Sequence, residues 1–436
     1  MAGLLQKELG VLEKSYYEAS VVRAPLCAPL QESMAVDVCV IGAGYAGLSC
    51  ALELARMGYT VALLEAHRIG WGASGRNGGQ ALVGFGAEGE HAIETQCPRE
   101  VARAAWDASI DGMRLLRQRI GDYGIDCDYI SGYLTLALRK RKSEALRRWV
   151  EHMARVYDYP LQWLDRAQIA GHLNSDRFVS GAYDAGSGHL HPLKYCLGLA
   201  AAARRAGVRL FENTAAFRLE RGREPVVKTA EGEVRCRYVV LAGNVYLGEF
   251  GDELAPELRG RIMPVGTYMV ATEPMGQARA DALMPGRAAA SDNNLVLDYF
   301  RLSADHRLLF GAGETYSAKA PRNLVERMRV RMTDVFPQTG DLGVEFAWGG
   351  FVDITMNRAP DLGRLGNNIY YVQGFSGHGL VFAGMAGKLM ADSIAGETSR
   401  FEVFNRIRHR RFPGGAMLRA PGLVLGMWYY KLRDLL

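Results

Sequence analysis

The sequence predicts an α/β protein in which a parallel sheet with flanking helices forms one domain and an antiparallel sheet forms a second. Near the start, apolar runs at 36–41 and 59–65 flank a segment with helical spacing of apolar residues at 45–57, which is typical of a buried βαβ unit. Three later segments alternate apolar and polar residues as antiparallel strands do: 262–272, 295–302 and 306–313. The length of 436 residues allows about two or three domains.

The composition is that of an ordinary globular protein with an uneven distribution of charge. The chain is 49% hydrophobic and 23% charged, which excludes a mainly disordered protein. Its net charge of +5 comes from the end of the chain, where seven Lys or Arg residues follow position 403 and only Asp434 opposes them. A basic tail is not the basic folded face of a nucleic-acid-binding domain, so no nucleic-acid partner is expected.

The remaining segments predict helices and strands behind an N-terminal arm at 1–32. A polar stretch at 98–157 has helical character, and its basic faces are most simply solvated surface. The other predictions, in chain order, are a helix at 193–206, strands at 208–212, 226–229 and 237–241, a helix at 321–335, strands at 344–352 and 369–373, and a helix at 379–394.

A glycine motif lies between the first predicted strand and the first helix. It is Gly42-x-Gly44-x-x-Gly47, and Glu65 ends the second strand. The glycines permit a tight turn and a close approach of backbone to a pyrophosphate, which the helix N-terminus at Tyr45 attracts. Since the acid at the strand end suits a ribose hydroxyl and disfavours a 2′-phosphate, the motif predicts a Rossmann-like domain for FAD or NAD.

A second glycine cluster, Gly72 through Gln80, follows this unit and carries a family resemblance. With it the chain resembles the amino-acid-oxidase-like FAD enzymes such as glycine oxidase, sarcosine oxidase and D-amino-acid dehydrogenase, and most of all the γ-glutamylputrescine oxidase group. The other matching motifs are Ser15-Tyr16-Tyr17, Asp37–Val40, Arg68-Ile69-Gly70, Gly188-His189, His191-Pro192, Ala242-Gly243-Asn244, Leu297-Asp298-Tyr299, Arg301-Leu302, Gln373-Gly374, Ser376–Gly379 and Phe412–Gly415.

This resemblance implies a glutathione-reductase-type FAD-binding domain joined to an antiparallel-sheet substrate domain. The expected ranges are 33–90, 180–246 and 345–400 for the FAD-binding domain and 91–179 and 247–344 for the substrate domain, with a tail at 401–436. The motifs and the resemblance together give these expected cofactor-binding residues: Gly42, Gly44, Tyr45, Ala46, Gly47, Glu65, Ala66, Ser74, Arg76, Asn77, Gly78, Gly79, Gln80, Ala216, Ala242, Gly243, Gly374, Ser376, Gly377, His378 and Gly379.

The resemblance also bears on how the flavin is attached. Some relatives attach it through a cysteine near the segment at 353–360, which contains none here, so non-covalent FAD is expected. The seven cysteines are scattered without a CxxC pair, and His189 and His191 have no third ligand at a suitable spacing. We therefore expect neither a disulfide framework nor a metal site. The cysteine pattern is consistent with a protein in a reducing compartment.

Three side chains are the candidates for a catalytic or substrate-binding role. His378 lies in the glycine-rich turn before the last long helix, and Tyr299 and Arg301 share one face of a predicted strand. Arg301 could pair with a substrate carboxylate or form a surface ion pair. Trp348 is a pocket wall or a core residue. Leu309 takes the position at which sarcosine oxidase relatives carry an oxygen-activating lysine, so oxidase and dehydrogenase both stay open.

The expected function is FAD-dependent oxidation of an amine, with oxygen or another electron acceptor. The resemblance favours γ-glutamylputrescine, giving γ-glutamyl-aminobutyraldehyde, ammonia and, with oxygen, hydrogen peroxide in polyamine catabolism. The alternatives are an oxidase or dehydrogenase of a small amino acid and a non-enzymatic FAD-binding protein. Without a signal peptide or an apolar run of roughly 18 residues, a cytoplasmic protein is expected, whose tail packs on the protein rather than on a membrane.

Overall fold

The structure is a computed structural model that describes residues 15–86, 89–250, 254–294, 296–315 and 323–413. Within these ranges the chain has seventeen strands and eleven α-helices. The first 14 residues of the predicted N-terminal arm and the tail after position 413 lie outside the described residues, and so do the side chains of 313–315.

The strands form two sheets. In chain order they are β1 (Met34–Ile41), β2 (Val61–Leu64), β3 (Gln80–Ala81), β4 (Ile130–Ala137), β5 (Gln162–Asp165), β6 (Ser180–His189), β7 (Arg209–Phe211), β8 (Arg218–Glu220), β9 (Val226–Lys228), β10 (Glu233–Leu241), β11 (Ile262–Thr272), β12 (Ala289–Asp292), β13 (Tyr299–Leu302), β14 (Leu308–Thr315), β15 (Val344–Thr355), β16 (Asp361–Leu365) and β17 (Ile369–Gln373).

The helices cover the faces of these sheets. They are α1 (Tyr16–Ala19), α2 (Tyr45–Arg56), α3 (Gly89–Gln96), α4 (Arg99–Tyr123), α5 (Lys140–Tyr157), α6 (Arg166–Ile169), α7 (Pro192–Arg205), α8 (Gln277–Leu283), α9 (Leu324–Val335), α10 (Gly379–Ile394) and α11 (Ser399–Asn405). No helix of the described residues is long and apolar enough to cross a membrane.

The first sheet has the order β16-β17-β10-β1-β2-β7, and β9 and β8 extend from β10. Strands β17, β10, β1, β2 and β7 are parallel. The central strand β1 is buried from Val38 to Ile41, as expected for a strand covered on both faces. The carboxyl ends of the parallel strands therefore meet at one edge, where ligands bind in open α/β sheets.

The second sheet has the order β15-β11-β14-β13-β12-β4-β6-β3, with β5 beside β6. All neighbours are antiparallel except β4 and β12, which run parallel. The core on this sheet includes Phe300 and Phe310, which stack with ring centroids 5.9 Å apart, and Phe336 from the end of α9. The predicted α/β class with a second, largely antiparallel domain is thus what the chain adopts.

Helices α2 and α10 pack unusually closely on each other and on the first sheet. A Cβ atom at Gly47 would lie 1.9 Å from the carbonyl oxygen of Gly42, and one at Gly387 would lie 2.3 Å from the carbonyl oxygen of Ala46. Ser49 Oγ also donates to the carbonyl oxygen of Gly384 at 2.5 Å. Each helix follows the carboxyl end of a parallel strand, α2 after β1 and α10 after β17, so both begin at the same edge of the sheet.

The sequence located most elements, but its prediction of helical character over 98–157 is wrong in the middle. Strand β4 separates α4 from α5 there, because it pairs with β6 and β12, which are distant in sequence. Strands β5, β6, β8, β12 and β16 were not predicted either. Strands of this kind, whether short or as long as β6, form through pairing with other strands rather than through a strong local pattern.

The predicted domain ranges differ from the sheets at three places. Strand β3 falls in the range 33–90, β6 in 180–246 and β15 almost wholly in 345–400, all expected in the FAD-binding domain, yet all three belong to the second sheet. Strand β6 pairs along its length with β4 and β5, and β15 with β11. The chain therefore crosses between the sheets more often than the ranges assume.

Two buried histidines lie beside the second sheet. His191 is the N-cap of α7: its Nδ1 accepts from the backbone N–H of Lys194, and Nε2 lies 2.9 Å from Ser20 Oγ. His189 Nε2 donates to the carbonyl oxygen of Arg287. Burial, with the charge of Arg301 second, lowers the pKa of each to about 3. Both rings are therefore neutral at pH 7 in the folded protein.

The contact of α2 with β1 can be tested with Gly47→Ala. We expect a loss of roughly 3 kcal/mol or more of unfolding free energy, because the new methyl overlaps the Gly42 carbonyl. Chemical denaturation measures it. Gly121→Ala in α4 is the matched control: nothing lies within 4 Å of its Cβ, so a gain of about 0.5–1 kcal/mol is expected. Equal stability of Gly47→Ala and the parent would contradict the packing argument.

His191 should make the protein less stable in acid. Its pKa is about 3 when folded and 6.5 in the reference state, so below pH 6.5 only the unfolded chain gains the proton. The unfolding free energy therefore falls by about 1.4 kcal/mol per pH unit for this proton. In His191→Asn, which keeps a side-chain cap, denaturation at pH 5 to 6.5 should show a shallower slope. Ser20→Ala should keep the parental slope; an unchanged slope in His191→Asn would refute the assignment.

Candidate active site

A cavity of about 1160 Å³ lies at the carboxyl edge of the first sheet and extends to the face of the second. Its wall includes Gly42 after β1, Glu65 after β2 and Ala242 after β10. Pockets for single small molecules usually measure about 300–1,000 Å³, so this cavity has room for a dinucleotide and a further ligand.

The first glycine loop forms the floor of the cavity beside α2. Gly42 has φ +105, and a Cβ there would lie 2.6 Å from the carbonyl oxygen of Ala242, so only glycine fits this turn. The backbone N–H of Tyr45, the first residue of α2, donates to Ser74 Oγ at 3.0 Å. The other N–H groups of the first turn have no partner within the helix, so this end of the cavity suits a phosphate.

Glu65 lies at the end of β2 as predicted and borders the cavity. Its Oε2 accepts from the backbone N–H of Ala43 at 2.8 Å, and its Oε1 accepts from that of His67 at 3.0 Å. Burial raises the pKa of this carboxyl, and the two N–H groups oppose the rise. A carboxylate oxygen has a second lone pair, so Glu65 can also accept from a ribose hydroxyl.

The second glycine loop turns over the cavity towards the second sheet. Asn77 folds it locally, because its Nδ2 donates to the carbonyl oxygens of Ala73 and Ser74 and its Oδ1 accepts from the N–H of Gly79. A Cβ at Gly78 would lie 2.8 Å from the ring of Tyr299. Glycine is thus required where the loop meets β13.

The turn before α10 is held by Asp353 of β15. Its Oδ2 accepts from the backbone N–H of Gly374 at 2.5 Å and of Phe375 at 3.0 Å. Burial raises the pKa of this carboxyl to about 6, and these N–H groups partly offset the rise. Asp353 therefore ties the second sheet to the turn that places the N-terminus of α10 at the cavity.

His378 is the N-cap residue of α10 and lines the cavity as a half-buried side chain. Its Nε2 lies 3.3 Å from the carbonyl oxygen of Val83, to which a protonated Nε2 donates. Burial lowers the pKa of His378 to about 4, so the ring is neutral at pH 7. It can fix the Val83 segment and present Nδ1 as an acceptor, but it carries no proton to donate from that atom.

Most of the predicted site residues come together at this cavity. The structure places these in its wall: Gly42, Gly44, Tyr45, Ala46, Glu65, Ala66, Ser74, Asn77, Gly78, Gln80, Ala216, Ala242, Gly243, Tyr299, Ser376, Gly377, His378 and Gly379. The predicted residues behind the wall are Gly47, Arg76, Gly79, Arg301 and Gly374.

Arg301 does not reach the cavity, so its predicted pairing with a substrate carboxylate is not supported. It is 2% exposed; its Nε donates to the carbonyl oxygen of Gly78 at 2.7 Å and its Nη2 to Tyr17 Oη at 3.1 Å. Tyr299 and Arg301 do share one face of β13, but the second glycine loop covers the arginine. Arg301 is a positioning residue under that loop.

Three further predicted side chains lie in the core. The guanidinium of Arg76 stacks over Trp71 at 4.5 Å, and burial lowers the pKa of Arg76 to about 10. Trp348 is fully buried and donates to the carbonyl oxygen of Arg76 at 2.9 Å, so it is a core residue rather than a pocket wall. Leu309 is also fully buried, against Trp348. Glu314, which follows Gly311-Ala312-Gly313 in the sequence and is a further candidate for attracting a substrate ammonium group, has its side chain outside the described residues.

Sequence reasoning missed the charged residues in the part of the cavity formed by the second sheet. Glu90 at the start of α3, Asp184 of β6 and Asp292 of β12 lie in the wall, together with Arg358. Burial raises the pKa of Glu90 to about 7; its Oε1 accepts from the N–H of Phe85 at 2.8 Å. Glu90 closely follows the glycine clusters, which was the one available signal.

The described residues contain no group of three His, Cys, Asp or Glu side chains arranged to hold a metal ion. A dinucleotide fits the cavity better than a metal ion does. The wall offers it the N-terminal N–H groups of α2, a carboxylate at the end of β2 and the N-terminus of α10. His67 Nε2 and Gln80 Nε2 are buried in the wall without a hydrogen-bond partner among the described residues, so they can bind one.

Fold and site together define a dinucleotide-binding protein, and sequence comparison gives the family. Residues 37–393 match the family described as FAD dependent oxidoreductase, so the chain belongs to this family. It is an FAD-dependent oxidoreductase with FAD as its cofactor.

Two relatives match almost the whole chain. It is 41% identical to the gamma-glutamylputrescine oxidoreductase of Escherichia coli strain K12, over 96% of this chain and 98% of the relative. It is 39% identical to a probable oxidoreductase of Haemophilus influenzae, over 97% of each chain.

Solved structures share the fold at lower identity. Glycine oxidase from Geobacillus kaustophilus superposes with a TM-score of 0.70 at 21% identity, covering 83% of this chain and 95% of that one. L-proline dehydrogenase from P. horikoshii superposes with a TM-score of 0.72 at 22% identity, covering 87% and 98%. These likenesses confirm the predicted fold class.

Asp353→Asn tests how the α10 turn serves cofactor binding. Both N–H groups donate to one oxygen, and the uncharged amide oxygen of Asn accepts such bonds more weakly than a carboxylate oxygen does. We therefore expect the dissociation constant for FAD to rise by about tenfold, equivalent to ~1.4 kcal/mol. Titration of apoprotein with FAD measures it. Asp298→Asn is the matched control, because Asp298 is also buried but pairs with Arg331 and does not line the cavity. Equal affinities of the two variants would contradict the assignment.

Proposed function

We propose that the protein catalyses the oxidative deamination of a primary amine, with γ-glutamylputrescine as the substrate. The observation that carries this proposal is the 41% identity over 96% of the chain to a gamma-glutamylputrescine oxidoreductase. A fold shared with glycine oxidase would by itself leave the substrate open, since one fold hosts many activities.

The reaction converts the terminal CH2–NH2 group to an aldehyde. When bound, FAD supplies a two-electron acceptor for the carbon–nitrogen bond. The imine then takes up water to give γ-glutamyl-aminobutyraldehyde and ammonia. With oxygen as the final acceptor, each amine consumes one O₂ and one water and yields one hydrogen peroxide; another acceptor would take the same two electrons.

The charges in the cavity favour an amine over a small amino acid. Among the described residues its wall holds five carboxyl groups, those of Glu65, Glu90, Asp184, Asp292 and Asp353, but Arg358 is the one Lys or Arg. Burial raises the pKa of Glu90 and of Asp292 to about 7, so both are partly ionised at neutral pH. An α-amino acid needs a cation next to the reacting carbon for its carboxylate. Since Arg301 lies behind the second glycine loop, that role is not filled there, whereas Arg358 can meet the carboxylate of a distant glutamyl group.

We assign the ammonium end of the substrate to Glu90. Glu90 belongs to α3 and borders the cavity. Its Oε1 accepts from the N–H of Phe85, and the next residue, Gly86, packs against the α10 turn: a Cβ at Gly86 would lie 2.9 Å from the carbonyl oxygen of Ser376. The carboxyl attracts the protonated amine when ionised and can take its proton. The cofactor contacts are proposed for the residues of the two glycine loops, Glu65, Ala216 and the α10 turn.

The choice of substrate is tested by anaerobic mixing of the FAD-loaded enzyme with candidate amines. We expect fast loss of the flavin absorbance at about 450 nm with γ-glutamylputrescine. With glycine or sarcosine we expect slow loss, because the site has no cation to pair with a carboxylate next to the reacting carbon. Acid should release the FAD, since attachment is non-covalent. Fast bleaching by glycine or sarcosine but not by γ-glutamylputrescine would overturn the proposal.

Glu90→Gln should weaken amine binding and change its pH dependence. The KM of the parent enzyme should fall as the pH rises through about 7, because Glu90 becomes ionised while an alkyl amine is still protonated. In Glu90→Gln we expect a KM that is about tenfold higher and independent of pH in this range, because the variant loses a charge-assisted hydrogen bond to the ammonium group. Steady-state kinetics at pH 6 to 8 measure this. Glu100→Gln, at an exposed position of α4, should match the parent; a parental pH dependence in Glu90→Gln would rule out the role.

A further inference from the structure

Arg301 is a buried cation whose charge no carboxylate neutralises within the described residues. Its contacts are the carbonyl oxygens of Gly78 and Leu302, Tyr17 Oη, and the face of the Tyr17 ring at 5.9 Å. None of these groups carries a charge at neutral pH, and the side chain is 2% exposed. A buried charge without a counter-ion is costly, so its retention calls for a compensating role.

Several of the other charged groups near Arg301 are paired with each other. Asp305 binds Arg307, which also binds Glu345, and Lys194 binds Asp128. His189 and His191 are neutral, because burial and the charge of Arg301 lower their pKa values. Two other guanidiniums lie nearby: Arg287 is half-buried and donates to the carbonyl oxygen of Ser303, and Arg76 stacks over Trp71. Arg301 differs from both because it is 2% exposed and bonds to Gly78, which lines the cavity.

The charge lies directly behind the loop that borders the cavity. Arg301 Nε donates to the carbonyl oxygen of Gly78, which lines the wall, and a Cβ at Gly79 would lie 2.8 Å from Nη2. In a bound FAD, Glu65 and the N-terminus of α2 would hold the adenosine and pyrophosphate, as in other dinucleotide cradles. The residues left to hold the redox-active ring would then be those at the opposite end of the cavity, where Gly78 and Tyr299 line the wall.

We propose that Arg301 raises the reduction potential of the bound FAD by stabilising the negative charge that the ring acquires on reduction. Reduction at neutral pH adds two electrons and one proton, so the ring gains one net negative charge. Across a low-dielectric wall a single fixed positive charge favours that form, and little reorganisation is needed because the loop and Tyr17 hold the guanidinium. The inference rests on FAD binding alone and is independent of which amine is oxidised.

The test is the midpoint potential of protein-bound FAD, measured against a reference dye in parent and variants. Arg301→Gln keeps hydrogen-bonding capacity but removes the charge. We expect its ratio of reduced to oxidised FAD at a given potential to fall at least about tenfold, which is ~30 mV for a two-electron couple. Arg301→Lys keeps the charge and should recover most of the difference. Tyr17→Phe removes one contact but no charge, and its potential should equal that of the parent.

The same series separates electrostatics from structural support. Equal potentials in Arg301→Gln and the parent, or equal shifts in Arg301→Gln and Arg301→Lys, would overturn the proposal. If Arg301→Gln binds no FAD, Arg301→Met takes its place, because its flexible apolar side chain fills buried space without a charge. The same fall of about tenfold is expected, and a parental potential in Arg301→Met would overturn the proposal.

Discussion

The contact between helix α2 and the first strand is the constraint on which the rest of the structure depends. It requires Gly47 to lie against the carbonyl of Gly42, and a second run of small residues brings α10 onto α2. Two helix N-termini therefore meet at the carboxyl edge of one parallel sheet. Their partial positive charges and unpaired N–H groups make that edge an anion site at each end of the cavity, which suits an elongated cofactor with a pyrophosphate at one end and a reducible ring at the other.

The second sheet completes the cavity and joins it to the first sheet at a few polar contacts. Asp353 on β15 holds the turn before α10, and Arg301 on β13 holds the second glycine loop. Both contacts are made by buried charged groups that bond to backbone rather than to opposite charges. Both residues position the walls of the cavity, and both also affect its electrostatics. Asp353 places a carboxyl group near the α10 turn, and Arg301 places a cation behind Gly78.

Much of the fold followed from local pattern. The strand at 369–373 and the helix at 379–394 have the predicted bounds, because a buried apolar run and a glycine-rich turn are strong local signals. Strand β4 was hidden in a predicted helical stretch, because its pairing partners β6 and β12 are remote. The site shows the same division: the glycine motifs located the cofactor cavity, whereas Glu90, Asp184 and Asp292 were not found, because each reaches the wall from a different element.

The sequence by itself determined the class of fold and a dinucleotide site, because glycines at fixed spacing and an acid at a strand end are local requirements of a dinucleotide cradle. The family and FAD followed from the resemblance of its motifs to those of the amino-acid-oxidase-like enzymes. Only the tertiary structure decided what the charged side chains do. Arg301 and Tyr299 have the same strand face and nearly the same sequence context, yet one is covered by the second glycine loop and the other borders the cavity. That difference arises from how two remote segments pack, and period-2 alternation along a strand carries no information about it.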